Sequence, residues 1–210
     1  KFTVYTALPT KVKVRTNVAE QVQGVERMAT FSAPFNAAVP EGVKAWYVKS
    51  VADNSAELAE VPEGMAIPAG EGVLLTTTSD RMSINMEKAL GTMKVADLTG
   101  NLLRANHKDG YTITSDDNAY VLDTMNEQTA FYRAQVGTTL GRYKAYLQWG
   151  AALPVLSLDF SATTTGICKG ATIDSQKPIV VYGIDGRQCA PNDARGVVIV
   201  NGKKQILFGK

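Results

Sequence analysis

The sequence predicts an all-β protein: a β-sandwich main domain followed by a small C-terminal β-meander packed on it or extending it. Three observations carry that expectation. Short apolar runs rich in Val, Ile, Tyr, Phe and Thr recur at close to the spacing of about 8 to 12 residues found in all-β domains. Clusters of Pro, Gly, Asn and Asp stand between them, the residue types that hairpin turns need. Helical periodicity is nearly missing; its best stretch, Arg81 to Leu90, is uncapped and supports one or two turns of helix at most.

Taken in chain order, the first strand is expected over Phe2 to Thr6, where Phe2 and Val4 alternate with Thr3 and Tyr5 as on a strand with one wet face. Val12 to Thr16, Arg27 to Ser32, Val43 to Val51, Ala56 to Val61 and Gly72 to Thr77 follow. Pro40-Glu-Gly, Ala52-Asp-Asn-Ser, Pro62-Glu-Gly and Pro68-Ala-Gly-Glu-Gly are the breakers among them. Two continuous apolar runs, Ala45-Trp46-Tyr47-Val48 and Val73-Leu74-Leu75, predict strands covered on both faces. Arg81 to Met86 also reads as a strand. After the turn at Asp109-Gly110 come Ala119 to Thr124, Ala130 to Ala134, Lys144 to Gln148 and Val155 to Phe160. In the last of these Leu156, Leu158 and Phe160 alternate with Val155, Ser157 and Asp159.

The polar, small-residue stretch Ser161-Ala-Thr-Thr-Thr-Gly166 is the best boundary in the chain. The expected organisation is a β-sandwich over 1–165, within which 1–24 can stand as a separate strand pair, a connector over 166–176 and a β-tail over 177–210. In the tail, Val180-Val-Tyr-Gly-Ile-Asp-Gly-Arg-Gln188 reads as strand and turn, and Gly196 to Lys210 as two strands joined at the hairpin signal Asn201-Gly202. About 34 residues bury too little apolar surface to be stable alone without disulfides or metals. Ile179, Val181, Ile199 and Ile206 are therefore expected to face the main domain or extend one of its sheets.

A chain of 210 residues with a net charge of +2 and interspersed signs carries no electrostatic footprint for nucleic acid. No apolar run approaches the roughly 20 residues of a membrane-spanning helix. The start at Lys1, with no cationic and apolar leader before Phe2, suits a mature or trimmed protein. The two cysteines, Cys168 and Cys189, are too far apart for a CxxC element, and a disulfide and two free thiols both stay open.

His107 is the only histidine, which removes most catalytic triads and histidine-based zinc sites. In Asn106-His-Lys-Asp-Gly it reads as an exposed turn residue. No catalytic set and no cofactor is expected, and the chain reads as a non-enzyme. Ser115-Asp116-Asp117-Asn118 with Asp123 clusters oxygen ligands of the kind calcium takes, but lacks the glycine and distal glutamate of a calcium loop. Asp116, Asp117 and Asp123 are thus weak calcium candidates, and a polar turn is the better reading. Among the aromatics, Trp46, Tyr120 and Trp149 are the candidates for a sugar-stacking platform, with polar neighbours such as Asn118 and Gln148 to fix hydroxyls. The competing expectation is that they are core, with Trp149 the nearest to the surface.

Met28-Ala-Thr-Phe-Ser-Ala-Pro-Phe35, Val39-Pro-Glu-Gly-Val-Lys-Ala-Trp-Tyr-Val48, Ile67-Pro-Ala-Gly-Glu-Gly-Val-Leu-Leu-Thr76 and Leu98-Thr-Gly-Asn-Leu-Leu103 are followed in order by Tyr120-Val-Leu, Phe131-Tyr-Arg-Ala, Lys144-Ala-Tyr-Leu and Thr164-Thr-Gly-Ile167. This ordered set resembles a module common in exported Bacteroidetes surface proteins. The terminal stretch resembles short tails related to the sorting domains of type IX secretion cargo. Its matching positions are Val181, Tyr182, Asp185, Gly186, Arg187, Gly196, Ile199, Asn201, Gly202 and Lys203. It is about half as long as those sorting domains, and Val198 stands where an aromatic is frequent.

The resemblance implies an exported protein at the outer-membrane surface or outside the cell, with a structural or adhesive role. The implied partners are a protein or glycan at that surface, and the secretion machinery through the tail. A carbohydrate-binding accessory module using exposed aromatics is the alternative. Asp123-Thr124-Met125 also looks like the O-glycosylation acceptor tripeptide of Bacteroidetes.

Overall fold

The computed structural model describes residues 9–150 and 152–160 with their side chains, and the backbone of 181–183, 188–189, 196–200 and 203–207. The chain divides into two compact units, Lys1–Gly166 and Ile167–Lys210. The described residues of the first form strands β1 (Lys11–Arg15), β2 (Asn17–Val18), β3 (Arg27–Ser32), β4 (Ala37–Ala38), β5 (Val43–Ala52), β6 (Ser55–Glu60), β7 (Gly72–Thr77) and β8 (Ser83–Lys88). They continue as β9 (Leu103–Asn106), β10 (Tyr111–Thr112), β11 (Ala119–Met125), β12 (Gln128–Arg133), β13 (Thr139–Leu140), β14 (Lys144–Gln148) and β15 (Val155–Asp159). One 3-10 turn, Ser115–Asp117, is the only helical segment among the described residues. The all-β class follows. Arg81 to Leu90 contains a strand and no helix: in β8, Ile84 and Met86 are buried while Asn85 and Glu87 are exposed, a period of two.

Ten strands make one curled sheet in the order β2-β3-β7-β5-β6-β15-β12-β11-β14-β9. Its pairs are antiparallel except β6 with β15. The far end returns upon the near end. The Ser32 amide donates to the Tyr143 carbonyl at 2.9 Å, the Leu102 amide donates to the Val48 carbonyl at 2.9 Å, and Glu71 bridges Arg104. Inside the curl lies a core of Met28, Trp46, Val48, Leu58, Leu74, Leu103, Tyr120, Phe131, Leu147 and Leu156.

The outer face of β3, β7 and β5 is covered by a three-stranded sheet, β1-β8-β4, through Val12, Val14, Ile84 and Met86. These pack on Ala29, Phe31, Val43, Ala45, Val73 and Leu75. The two continuous apolar runs are thereby explained: Ala45, Val73 and Leu75 point to one core, and Trp46, Val48 and Leu74 to the other. A two-stranded ribbon, β10-β13, closes a third cluster of Ile113, Ala119, Leu140 and Tyr146.

Gly72 sets how tightly the curl closes. A Cβ there would come within 2.8 Å of the Ala145 Cβ and 3.1 Å of the Leu103 Cβ, so β7 approaches β14 and β9 as only a glycine allows. The turns are equally specified. Val22-Gln-Gly-Val, Pro40-Glu-Gly-Val, Pro62-Glu-Gly-Met, Pro68-Ala-Gly-Glu, Leu98-Thr-Gly-Asn and Gln135-Val-Gly-Thr share one geometry. In each, the fourth amide donates to the first carbonyl at 3.0–3.3 Å, and the glycine has positive φ, the type II pattern.

The second unit has a sheet of its own, with strands β16 (Val181–Gly183), β17 (Gln188–Cys189), β18 (Gly196–Val200) and β19 (Lys203–Leu207). β16, β18 and β19 are successive antiparallel neighbours, and β17 pairs on the outer edge of β16. Val200 opposes Lys203, which puts a two-residue connection where the Asn-Gly signal stands. The expected strand over Phe2 to Thr6, the pairing of Cys168 with Cys189 and the direction of the Ile179, Val181, Ile199 and Ile206 side chains lie outside the described residues.

Replacing Gly72 by Ala is expected to lower stability by about 1–3 kcal/mol through overpacking. Gly91→Ala, at a glycine with nothing within 4 Å, should stay within about 0.5 kcal/mol of the parent. Urea unfolding of both variants checks this, and equal midpoints would refute the close-approach argument.

Candidate functional site

The three candidate ligand aromatics do not form a stacking platform. Trp46 is 6 % exposed and Tyr120 is fully buried, both inside the curled sheet. Of the two expectations for these aromatics, the core one holds for Trp46 and Tyr120 and the sugar-facing one does not: the curl turns these strand positions inward, where large aromatic area is most favourably placed. Trp149 is half-buried against the same core, and its backbone amide donates to the Asn118 carbonyl at 3.1 Å. Gln148 accepts from the Arg104 guanidinium at 2.9 Å.

Trp46 instead forms the floor of a groove. Where β5 begins and β6 and β7 end, the surface opens into a concavity of about 670 Å³. Its apolar surface comes from Trp46, Val25, Val39, Val43, Val61 and Phe160. The Trp46 indole N–H donates to Thr76 Oγ1 at 2.8 Å, and the Phe160 ring stands edge-on to it, with centroids 4.8 Å apart at 84°. Lys44 Nζ lies 5.6 Å from the indole centre and 3.1 Å from Glu60 Oε2. Three of the type II turns supply residues to the rim, and two of them repeat one tetrapeptide, Val39-Pro-Glu-Gly42 and Val61-Pro-Glu-Gly64. From sequence alone these prolines and glycines read only as breakers. Their repetition was the available signal for a shared rim.

The acidic cluster is a structural cap. Asp117 closes the turn after Thr114: its Oδ2 accepts from the Thr114 amide at 2.7 Å and from the Thr114 hydroxyl at 3.0 Å, while its Oδ1 accepts from the Tyr111 hydroxyl at 2.6 Å. The Thr114 backbone hydrogen bond, then the Tyr111 hydroxyl, hold the Asp117 carboxyl below its ordinary range. Asp117 in turn pushes the Tyr111 hydroxyl well above the ordinary tyrosine value. Asp116 accepts from the Ser115 hydroxyl at 3.3 Å, and Asp123 accepts from the Thr124 amide at 2.8 Å. Among the described residues no three His, Cys, Asp or Glu side chains gather to hold a metal. Thr124, the acceptor of the glycosylation tripeptide, lies on β11 with its hydroxyl 2.8 Å from that of Thr129.

His107 is half-buried, a correction to its reading as an exposed turn residue. The Asn106 side chain draws the chain inward there: its amide donates to the Lys108, Leu140 and Gly141 carbonyls, and its carbonyl accepts the Lys108 amide. His107 Nε2 is buried with no hydrogen-bond partner, and its ring centroid lies 6.3 Å from that of Tyr143. Burial first, and the Arg142 charge second, push the imidazole below its usual value.

Of the tail positions, Tyr182 lies on β16 opposite Gln188 and Ile199, and Lys203 opens β19 opposite Val200. Asp185, Gly186, Arg187, Asn201 and Gly202 lie outside the described residues. No protein-family model, no curated protein and no solved structure matches the chain.

Thr76→Val should destabilise by about 1–3 kcal/mol, because the buried indole N–H of Trp46 loses its acceptor. Thr76→Ser, which keeps the hydroxyl, should lose less; equal losses in urea unfolding would count against the bond. For His107, the folded protein binds the proton less readily than the unfolded chain. Its contribution to stability is therefore complete above about pH 6.5 and lost as pH falls through the lowered folded value. An NMR titration of this single histidine should show a midpoint below 6.5, and His107→Gln should flatten the stability profile across that range.

Proposed function

We propose that the chain is a non-catalytic exported protein of the cell surface, with a structural or adhesive role, whose C-terminal unit serves as an address for secretion. The observation that carries the reading is the division into a main all-β unit and a separate terminal unit with its own four-stranded sheet. A terminal element that forms a compact unit of its own can be read by a receptor without disturbing the fold it follows. The matched tail positions from Val181 to Lys203 span that sheet, and the ordered segments from Met28 to Ile167 support membership in a surface-protein module of Bacteroidetes.

The use of polar side chains in the main unit favours a scaffold role. Asn101 donates to the Gly72 carbonyl at 2.8 Å and accepts the Leu103 amide at 3.0 Å, while Asn106 and Asp117 tie neighbouring loops. These groups satisfy backbone and hold the closure of the sheet.

Expression of the full chain and of a chain ending at residue 176, each behind the same export signal in a Bacteroidetes host, tests the address role. The full chain is expected in the outer-membrane and extracellular fractions and sensitive to protease added to whole cells. The shortened chain should accumulate inside. Equal surface display of the two would refute the role of 177–210.

A further inference from the structure

The groove over Trp46 has the form of a binding site, and its chemistry points to a particular occupant. Its floor is apolar and aromatic, in a size range that suits a few side chains. Its charge is opposite in sign to that of the chain as a whole: Glu41, Glu60 and Glu63 line it against Lys44 alone, in a protein of net charge +2. The cations at the rim are engaged. Lys44 is paired with Glu60, and the Arg81 guanidinium donates to the Glu41 backbone carbonyl at 3.3 Å. The exposed carboxylates of Glu41 and Glu63 form no ion pair among the described residues.

Both carboxylates stand at the second position of the repeated Pro-Glu-Gly turns, whose backbone is held by the Val43-to-Pro40 and Met65-to-Pro62 hydrogen bonds. They are carried on a rigid rim. The groove also contains one example of the group it is suited to hold. The Lys44 side chain sets an ammonium near the face of Trp46 and against a carboxylate, the combination that favours a cation on an aliphatic stem.

We propose that this groove binds an extended peptide segment of another protein in which apolar side chains alternate with lysine, the apolar groups lying over Trp46 and Phe160 and the ammonium groups meeting Glu41 and Glu63. The inference does not depend on where the protein resides or on the role of its tail. It supplies a partner chemistry that an adhesive surface module could use.

The full chain is titrated by isothermal calorimetry with a capped Leu-Lys-Leu-Lys peptide, and in parallel with Leu-Glu-Leu-Glu and Leu-Ser-Leu-Ser. Saturable binding of the lysine peptide alone is expected, weakened about threefold to tenfold in the Glu41→Gln, Glu63→Gln double variant by the loss of two exposed pairs. Both substitutions are on exposed turns and keep the side-chain size. A Trp149→Phe protein leaves Trp46 as the only tryptophan, and its emission should shift along the same isotherm. Absence of saturable binding, equal binding of the serine or glutamate peptide, an unchanged affinity in the double variant, or binding that leaves the Trp46 emission unaltered would each overturn the proposal.

Discussion

The close approach at Gly72 is the constraint on which the main unit depends. A ten-stranded sheet left open would expose an inner apolar face and leave both of its edges unprotected. Here the sheet curls until β9 and β14 meet β3 and β7, and the position where they meet has no side chain. Around that point the hydrogen bonding is supplied from both directions. Asn101 donates to the Gly72 carbonyl, Thr30 Oγ1 accepts the Ala145 amide at 3.3 Å, and Ser32 donates from its amide to the Tyr143 carbonyl just before β14 and from its hydroxyl to the Lys144 carbonyl on it. Small and polar residues stand at the seam because backbone has to meet backbone there; the larger aromatics fill the space the seam encloses.

The enclosed space explains the groove. Once Trp46 is turned inward, its indole N–H needs an acceptor in the interior, and Thr76 on the neighbouring strand supplies it. The indole is fixed, and the end of the sheet is left with an aromatic floor edged by Phe160. The turns that reverse the chain around this end are of type II, a geometry in which the glycine takes positive φ and the residue before it projects from the rim. Architecture and surface chemistry therefore share an origin: the Pro-Glu-Gly repeats exist to turn the chain, and in doing so they place carboxylates around an apolar hollow.

Much of the fold was legible from sequence. β3, β7 and β14 run over Arg27–Ser32, Gly72–Thr77 and Lys144–Gln148, the spans that their apolar runs and flanking breakers define. The strands with no signal in the sequence, β2, β4, β10 and β13, are two residues long, and β9 is four. Such pieces contain too few residues to show a period, and they exist because longer neighbours offer them a ladder. The site was less legible. Trp46 and Tyr120 invite a ligand reading because nothing local distinguishes a core aromatic from an exposed one. Asp117 resembles a cation ligand until Thr114 and Tyr111 are seen to occupy it.

By itself the sequence determined the strand class, the positions of the reversals and the two-sided burial of the central strands. Those properties depend on side-chain alternation and on glycine and proline dihedrals, which are local. Only the tertiary structure decided which strands neighbour one another, that the sheet closes at Gly72, that His107 is drawn half inside, and that two distant Val-Pro-Glu-Gly turns border one groove. Those facts depend on contacts between residues far apart in the chain, and no local period or propensity encodes them.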